Sequence, residues 1–180
     1  MAAPGLNEMV VESVRVHMLS SQHVVILRDT VRERYLPIWI GPWEANAIAM
    51  RLQGVTPERP MTHDLFSSTL EQLGVTIRQI VVSDLADDTF RARLFLELDG
   101  KSLEMDARPS DAIALAIRAG VPIFASDAVL DRAAVIPESA EEENLSVFRE
   151  FINSLEFDLP EGEGPSETSG EGPSEERRPN

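Results

Sequence analysis

From Met9 to Leu19 apolar and polar residues alternate. Val14, Val16 and Met18 share one side and Ser13, Arg15 and His17 the other, so the segment reads as a β-strand. His23–Asp29 and Tyr35–Ile40 read as two more strands, joined by the charged turn Asp29–Arg34. At Pro42 the period changes to that of a helix. Ala45, Ile48, Ala49 and Leu52 fall on one side as far as about Gln53, and Gly54 is a natural stop. A loop with Pro57 and Pro60 follows. Thr62 is then expected as the N-cap of a second helix ending at Gly74, with Leu65, Phe66, Thr69, Leu70 and Leu73 facing inward.

Val75–Leu85 and Thr89–Asp99 read as a hairpin around Ala86-Asp87-Asp88. Its second arm turns Phe90, Ala92, Leu94, Leu96 and Leu98 to one face and Arg91, Arg93, Glu97 and Asp99 to the other. Asp99-Gly100 predicts a tight turn into Lys101–Ala107. Pro109–Ala119 is apolar nearly all round and reads as a buried helix. A short strand at Val121–Ala125, a brief helix capped by Ser126 and an amphipathic helix over Glu141–Leu155 complete the chain. Hairpins dominate over parallel crossovers. The expectation is an α+β fold, a mixed and largely antiparallel sheet packed with helices.

One pattern occurs twice. Gly41-Pro42-Trp43-Glu44-Ala45-Asn46-Ala47-Ile48-Ala49-Met50-Arg51 is echoed by Arg108-Pro109-Ser110-Asp111-Ala112-Ile113-Ala114-Leu115-Ala116-Ile117-Arg118, with Ala45 matching Ala112, 67 positions on. Each copy leaves a strand, turns through Pro and places an acid in the first helical turn, where the helix dipole favours it. The pair reads as an internal strand–helix duplication. The alternative, that Pro-x-Glu/Asp-Ala is ordinary helix-start grammar, stays open at this point.

Composition divides the chain further. It has 180 residues, 43% of them hydrophobic, and no Cys, which excludes disulfides, thiolate metal sites and a Cys nucleophile. The formal charge of −15 is uneven, because residues 138–180 carry −10 of it. Residues 1–137 are expected as one domain, 138–158 as a C-terminal amphipathic helix, and 159–180 as a disordered acidic Gly/Pro/Ser/Glu tail. Neither a secretory signal nor a 20-residue apolar span is visible, so a cytoplasmic protein without membrane contact is expected. Acidity argues against tight binding to phosphate backbones through charge alone. Arg78, Arg91 and Arg93, with Arg15, offer at most a modest nucleic-acid platform; a solvated face or a subunit contact explains them better.

Candidate chemistry concentrates in two further places. Arg59-Pro60-Met61-Thr62-His63-Asp64-Leu65 puts a histidine beside a carboxylate at a helix start, a pairing suited to acid–base work or metal binding. Backbone N–H groups there, with Thr62 and Arg59, suit a phosphate oxygen. The plainer reading makes Thr62 a cap, Asp64 a dipole complement and His63 a filler. Asp106-Ala107-Arg108-Pro109-Ser110-Asp111 flanks an Arg and a Ser with two acids. Adding Glu44 gives a set of carboxylates that hard divalent cations favour. No GxGxxG, GxxxxGK[ST], HExxH or GxSxG occurs.

Taken in order, Leu36-Pro37-Ile38-Trp39-Ile40-Gly41 with Glu44-Ala45, Arg59-Pro60 with Thr62-His63-Asp64-Leu65, and Asp106–Ala116 make the chain similar to the bifunctional nuclease (BFN) domain family across roughly Met9–Pro137. The resemblance implies a compact α+β domain that self-associates as a homo-oligomer, with DNase and RNase activity. On this expectation the chain is a nuclease acting on DNA or RNA, assisted by Mg²⁺ or Mn²⁺. Asp106, Asp111 and Glu44 would hold the metal. His63, oriented by Asp64, would transfer protons. Arg59 and Arg108 would neutralise phosphate charge, with Thr62 and Ser110 contacting substrate. The competing expectation is a non-catalytic homo-oligomer that recognises a small anion or a partner protein.

Overall fold

The structure, a computed structural model, describes residues 5–17, 20–136 and the backbone of 155–157. The first unit is an antiparallel meander, β1 (Leu6–His17), β2 (Gln22–Asp29) and β3 (Tyr35–Ile40), running directly into helix α1 (Pro42–Leu52). Helix α2 (Thr62–Gln72) follows. A second antiparallel meander, β4 (Thr76–Ala86), β5 (Thr89–Leu98) and β6 (Lys101–Ala107), runs into α3 (Pro109–Ala119). Strand β7 (Ile123–Ser126), helix α4 (Asp127–Ala133) and β8 (Leu155–Phe157) complete the described elements.

The strand order is β3-β2-β1-β7-β4-β5-β6, with β8 pairing on β1. It is symmetric about β7. Because β7 is antiparallel to β1 and parallel to β4, the two meanders run in opposite senses, as copies related by a two-fold would. The 67-residue offset carries Gln22–Asp29 to 89–96, Tyr35–Ile40 to 102–107 and Pro42–Leu52 to 109–119. These positions are those of β5, β6 and α3. The duplication therefore spans the whole three-strand-plus-helix unit and not merely the helix start.

Both helices begin with Pro and pack side by side. Ala45 and Ile48 of α1 and Ala112, Ile113, Ala114 and Ala116 of α3 are fully buried against Val25, Leu27, Ile80 and Leu94 of the sheet. Small Ala faces let the helices approach closely, while Ile48 and Ile113 fill the sheet side. Gly120 ends α3 in the left-handed conformation, at φ 66°, where its N–H bonds Ala116 O. Turns Asp87-Asp88 and Asp99-Gly100 have positive φ at both positions, the geometry a two-residue hairpin needs.

Several expectations need correction. Helix α2 has no buried residue at all, and Leu65 and Leu73 are 62% and 66% exposed. Its amphipathic pattern is real, but little of its apolar face reaches the core beyond Leu70, which is partly buried there. Met61, not Thr62, is its N-cap; the Asp64 carboxylate accepts the Met61 N–H. The helix expected over 138–158 and the tail over 159–180 lie outside the described residues except at 155–157. Leu155–Phe157 pair antiparallel with Arg15–His17 as a strand. Of the Arg face, Arg78 is paired with Glu97 and Arg93 with Glu104. Among the described residues no helix is long and apolar enough to cross a membrane.

One buried ion pair sets the β2–β3 connection. Asp29 Oδ1 accepts the N–H groups of Val31 and Arg32, and its Oδ2 accepts Arg34 Nε at 2.7 Å. Both side chains are buried. Burial pushes the Asp29 carboxyl up, but the Val31, Arg34 and Arg32 hydrogen bonds outweigh it and hold the group below its ordinary value. Removing one partner of such a pair strands the other charge away from water. Asp29→Ala is expected to lower unfolding free energy by about 3–5 kcal/mol, measured by denaturant titration; a loss under about 1 kcal/mol would contradict the assignment.

Candidate functional site

The two helix starts meet through one guanidinium. Arg108, the N-cap of α3, donates from Nε to Asp111 Oδ2 at 2.7 Å and from Nη2 to Asp111 Oδ1 at 3.0 Å. The same Nη2 donates to Glu44 Oε1 at 2.7 Å. Glu44 and Asp111 occupy the same position in the two repeats, so Arg108 joins equivalent acids. Gly41 stands where the first repeat would carry its own arginine. A Cβ on Gly41 would overlap Glu44 Oε2, so a glycine there leaves room for the Glu44 carboxylate to fold back toward Arg108.

His63, in the first turn of α2, completes the cluster. Its Nε2 lies 3.1 Å from Asp111 Oδ1, and its side chain is 14% exposed. Burial pushes the Asp111 carboxyl up; hydrogen bonds from Arg108 and His63 outweigh that and hold it below its ordinary value. An ionised carboxylate only accepts, so the proton of neutral His63 resides on Nε2. Nδ1 has no partner among the described residues, and in the neutral ring it is the nitrogen that carries the lone pair.

Asp64 has a different task from the one its position suggests. Its Oδ1 accepts Arg118 Nε at 2.6 Å. Arg118, almost fully buried, also donates to Ala114 O and to Ala47 O, carbonyls at equivalent places in α3 and α1. This arginine ties α1, α2 and α3 together and was not picked out from sequence. What could have found it is its place at the end of the repeated pattern, four residues after Ala114. Burial raises Asp64, and the Arg118 and Met61 hydrogen bonds more than offset it, leaving the carboxyl low.

The remaining candidates are scattered. Arg59 lies exposed in the loop before α2, without a hydrogen bond or ion pair among the described residues. Thr62 is exposed at the first position of α2. Asp106 is exposed on β6; its neighbour Ala107 packs on the core, so strand alternation turns Asp106 to the opposite face. Asp106, Asp111 and Glu44 therefore do not converge. Among the described residues no group of three His, Cys, Asp or Glu side chains could hold a metal ion. The two carboxylates that do approach each other are both engaged by Arg108, so the donor set as it stands does not fit a resident Mg²⁺ or Mn²⁺.

Beside the cluster lies a cleft of about 500 Å³. Both repeated helix starts line it, through Gly41-Pro42 and Arg108-Pro109-Ser110, together with the apolar Ile38, Ile40 and Phe90 and the polar Gln22, His23, Asp88 and Thr89. Neither helix has a side-chain cap. The first-turn acids that would ordinarily supply one are turned onto Arg108.

A twisted sheet with two repeated helices meeting at an arginine-bridged cleft is the architecture. The chain belongs to the bifunctional nuclease domain family, whose model matches residues 25–138. An uncharacterized protein of Mycobacterium tuberculosis is 40% identical over 162 residues, covering 85% of this chain and 97% of its own length. Bifunctional nuclease 1 of Oryza sativa subsp. japonica is 25% identical over 114 residues, covering 61% of this chain. Bifunctional nuclease 1 of Arabidopsis thaliana is 29% identical over 91 residues, covering 49%. The aligned region is 34% and 28% of those plant proteins, so the chain matches about a third of their lengths.

The electrostatics give a direct check. Arg108→Ala removes the largest of the lowering influences on Asp111 and leaves Asp64 its Arg118 partner. Carboxyl NMR titration should show Asp111 moving up while Asp64 stays below its ordinary value. Both depressed carboxylates contribute stability that is present above the unfolded carboxylate value and lost as pH falls through their folded values. Unfolding free energy should therefore decline below about pH 4. An unshifted Asp111 in Arg108→Ala would contradict the described network.

Proposed function

We propose that the chain hydrolyses phosphodiester bonds of DNA or RNA at the Arg108–Asp111–His63–Glu44 cluster. The observation that carries this reading is a histidine held by an ionised carboxylate beside an exposed arginine. Arg108 is 66% exposed although it makes three charged hydrogen bonds. Exposed ion pairs contribute only about 0.2–1 kcal/mol each, so stability alone does not account for assembling them there. Family membership and the names of the plant relatives support the same direction.

In this reading Arg108 meets the scissile phosphate through Nη1, which the cluster leaves unused, and stabilises charge developing on its oxygens. His63 Nδ1 takes a proton from the attacking water as the water oxygen bonds to phosphorus. The phosphorus–oxygen bond to the leaving group breaks, and that oxygen takes a proton from the protonated imidazole or from solvent. Asp111 holds the ring and stabilises the imidazolium. Asp64 supports the site through Arg118 and takes no part in the chemistry. No step is assigned to a metal ion, and Arg59, Thr62 and Asp106 carry no role.

A second reading is favoured by one observation, the exposed apolar side of α2 with Trp43 at 81% exposure on α1. It is a non-catalytic homo-oligomer binding through these surfaces.

Hydrolysis of labelled DNA and RNA by the purified full chain, with Mg²⁺, Mn²⁺ or EDTA, separates the two. His63→Ala and Asp111→Asn should each lower the rate by roughly 10²–10⁴-fold while remaining folded. Asp64→Asn should lower stability more than rate. Equal cleavage by wild type and variants, or none by any, would overturn the hydrolytic reading. A strict metal requirement would mean that Arg108 gives way to a cation in the active form.

A further inference from the structure

We infer that the cleft between the two repeated helix starts binds one unpaired nucleotide, with its phosphate at the start of α3 and its base against the apolar side chains Ile38, Ile40 and Phe90. The inference rests on the hydrolytic reading and names the form of nucleic acid that the site accepts.

Ser110 is the observation that points to a ligand. It is 5% exposed, lines the cleft and has no hydrogen-bond partner among the described residues. Its Oγ is not sealed off, since the buried side-chain atom left without a partner among the described residues is Arg34 Nη2; the hydroxyl is unpartnered and still open. Here the space it borders is the cleft, so a ligand oxygen can satisfy it. The N–H groups of Ser110 and Asp111 are first-turn donors that no side chain caps, and Pro109 contributes none. Arg108 lines the same wall with Nη1 unused. Hydroxyl, backbone donors and guanidinium together make a cradle for phosphate oxygens.

The rest of the lining is mixed. Ile38, Ile40 and Phe90 offer apolar surface that suits a flat, weakly polar ring, beside the polar Gln22, His23, Asp88 and Thr89. A volume of about 500 Å³ is that of a small-ligand site. It takes a single nucleotide unit, whereas a duplex keeps its bases paired and stacked and must extrude one to enter. The acidic composition points the same way. With residues 1–137 already net negative, affinity has to come from a shaped pocket and not from many phosphate contacts along a duplex.

The test is a calorimetric or NMR titration of the full chain with thymidine 5′-monophosphate, thymidine and inorganic phosphate. The mononucleotide should bind at least tenfold more tightly than either fragment. Ser110→Ala should weaken the mononucleotide and phosphate roughly tenfold or more and leave thymidine unchanged. Thr89→Trp, an exposed position on the cleft rim, should block the mononucleotide and thymidine alike. In parallel, an unpaired strand should be cut faster than a hairpin duplex of the same sequence.

Mononucleotide binding no tighter than phosphate, or binding indifferent to both variants, overturns the inference. So does equal cutting of single and paired strands, which leaves the hydrolytic reading standing. Mononucleotide binding with the expected variant responses, but with no hydrolysis of any strand, supports the cleft assignment and removes the hydrolytic reading.

Discussion

The bridge from Arg108 to Glu44 and Asp111 is the interaction on which the site's organisation depends. Its two acids come from equivalent positions of two repeats, so without a shared cation they would repel across the α1–α3 seam. With it, both carboxylates leave the helix starts they would otherwise cap. The first turns are left without a side-chain cap where their prolines line the cleft, and Asp111 Oδ1 also meets His63. The bridge is too exposed to stabilise the fold much. That task falls to the apolar layer and to Arg118, which is buried and spans all three helices.

The repeats explain why there is one site and not two. Glu44 matches Asp111, Arg51 matches Arg118, and Ala47 matches Ala114. Arg108, however, matches Gly41, and His63 of α2 matches Leu130 of α4, so the second repeat carries no histidine there. Arg51 is exposed and reaches the Arg118 carbonyl at 3.5 Å, while Arg118 turns inward and binds both helices. Duplication supplied two helix starts with paired acids. Loss of symmetry at these positions made them into a single arrangement with one arginine and one histidine.

Much of this was legible in the chain. Alternation located β5, whose Ala92, Leu94 and Leu96 are buried between more open positions, and the Pro-started helices were marked at both ends. Repetition at 67 residues showed in the helix and proved to extend through the meanders. Contacts between distant elements were harder to read. His63 and Asp64 adjoin in sequence, yet successive helical residues diverge by about 100°, so His63 meets Asp111 and Asp64 meets Arg118. Asp106 was grouped with Asp111 by proximity along the chain, although alternation from Ala107 already turned it away. The apolar stripe of α2 predicted a burial that the helix does not have, because what packs on a stripe depends on neighbours that no local pattern reveals.

The most direct measurement is a double-variant cycle on the hydrolytic rate, comparing Glu44→Gln, Asp111→Asn and the two combined. If one guanidinium joins both acids into a working unit, the combined variant should be little slower than Asp111→Asn alone. Losses that multiply, as independent contributions do, would contradict the shared bridge and with it the account of the site.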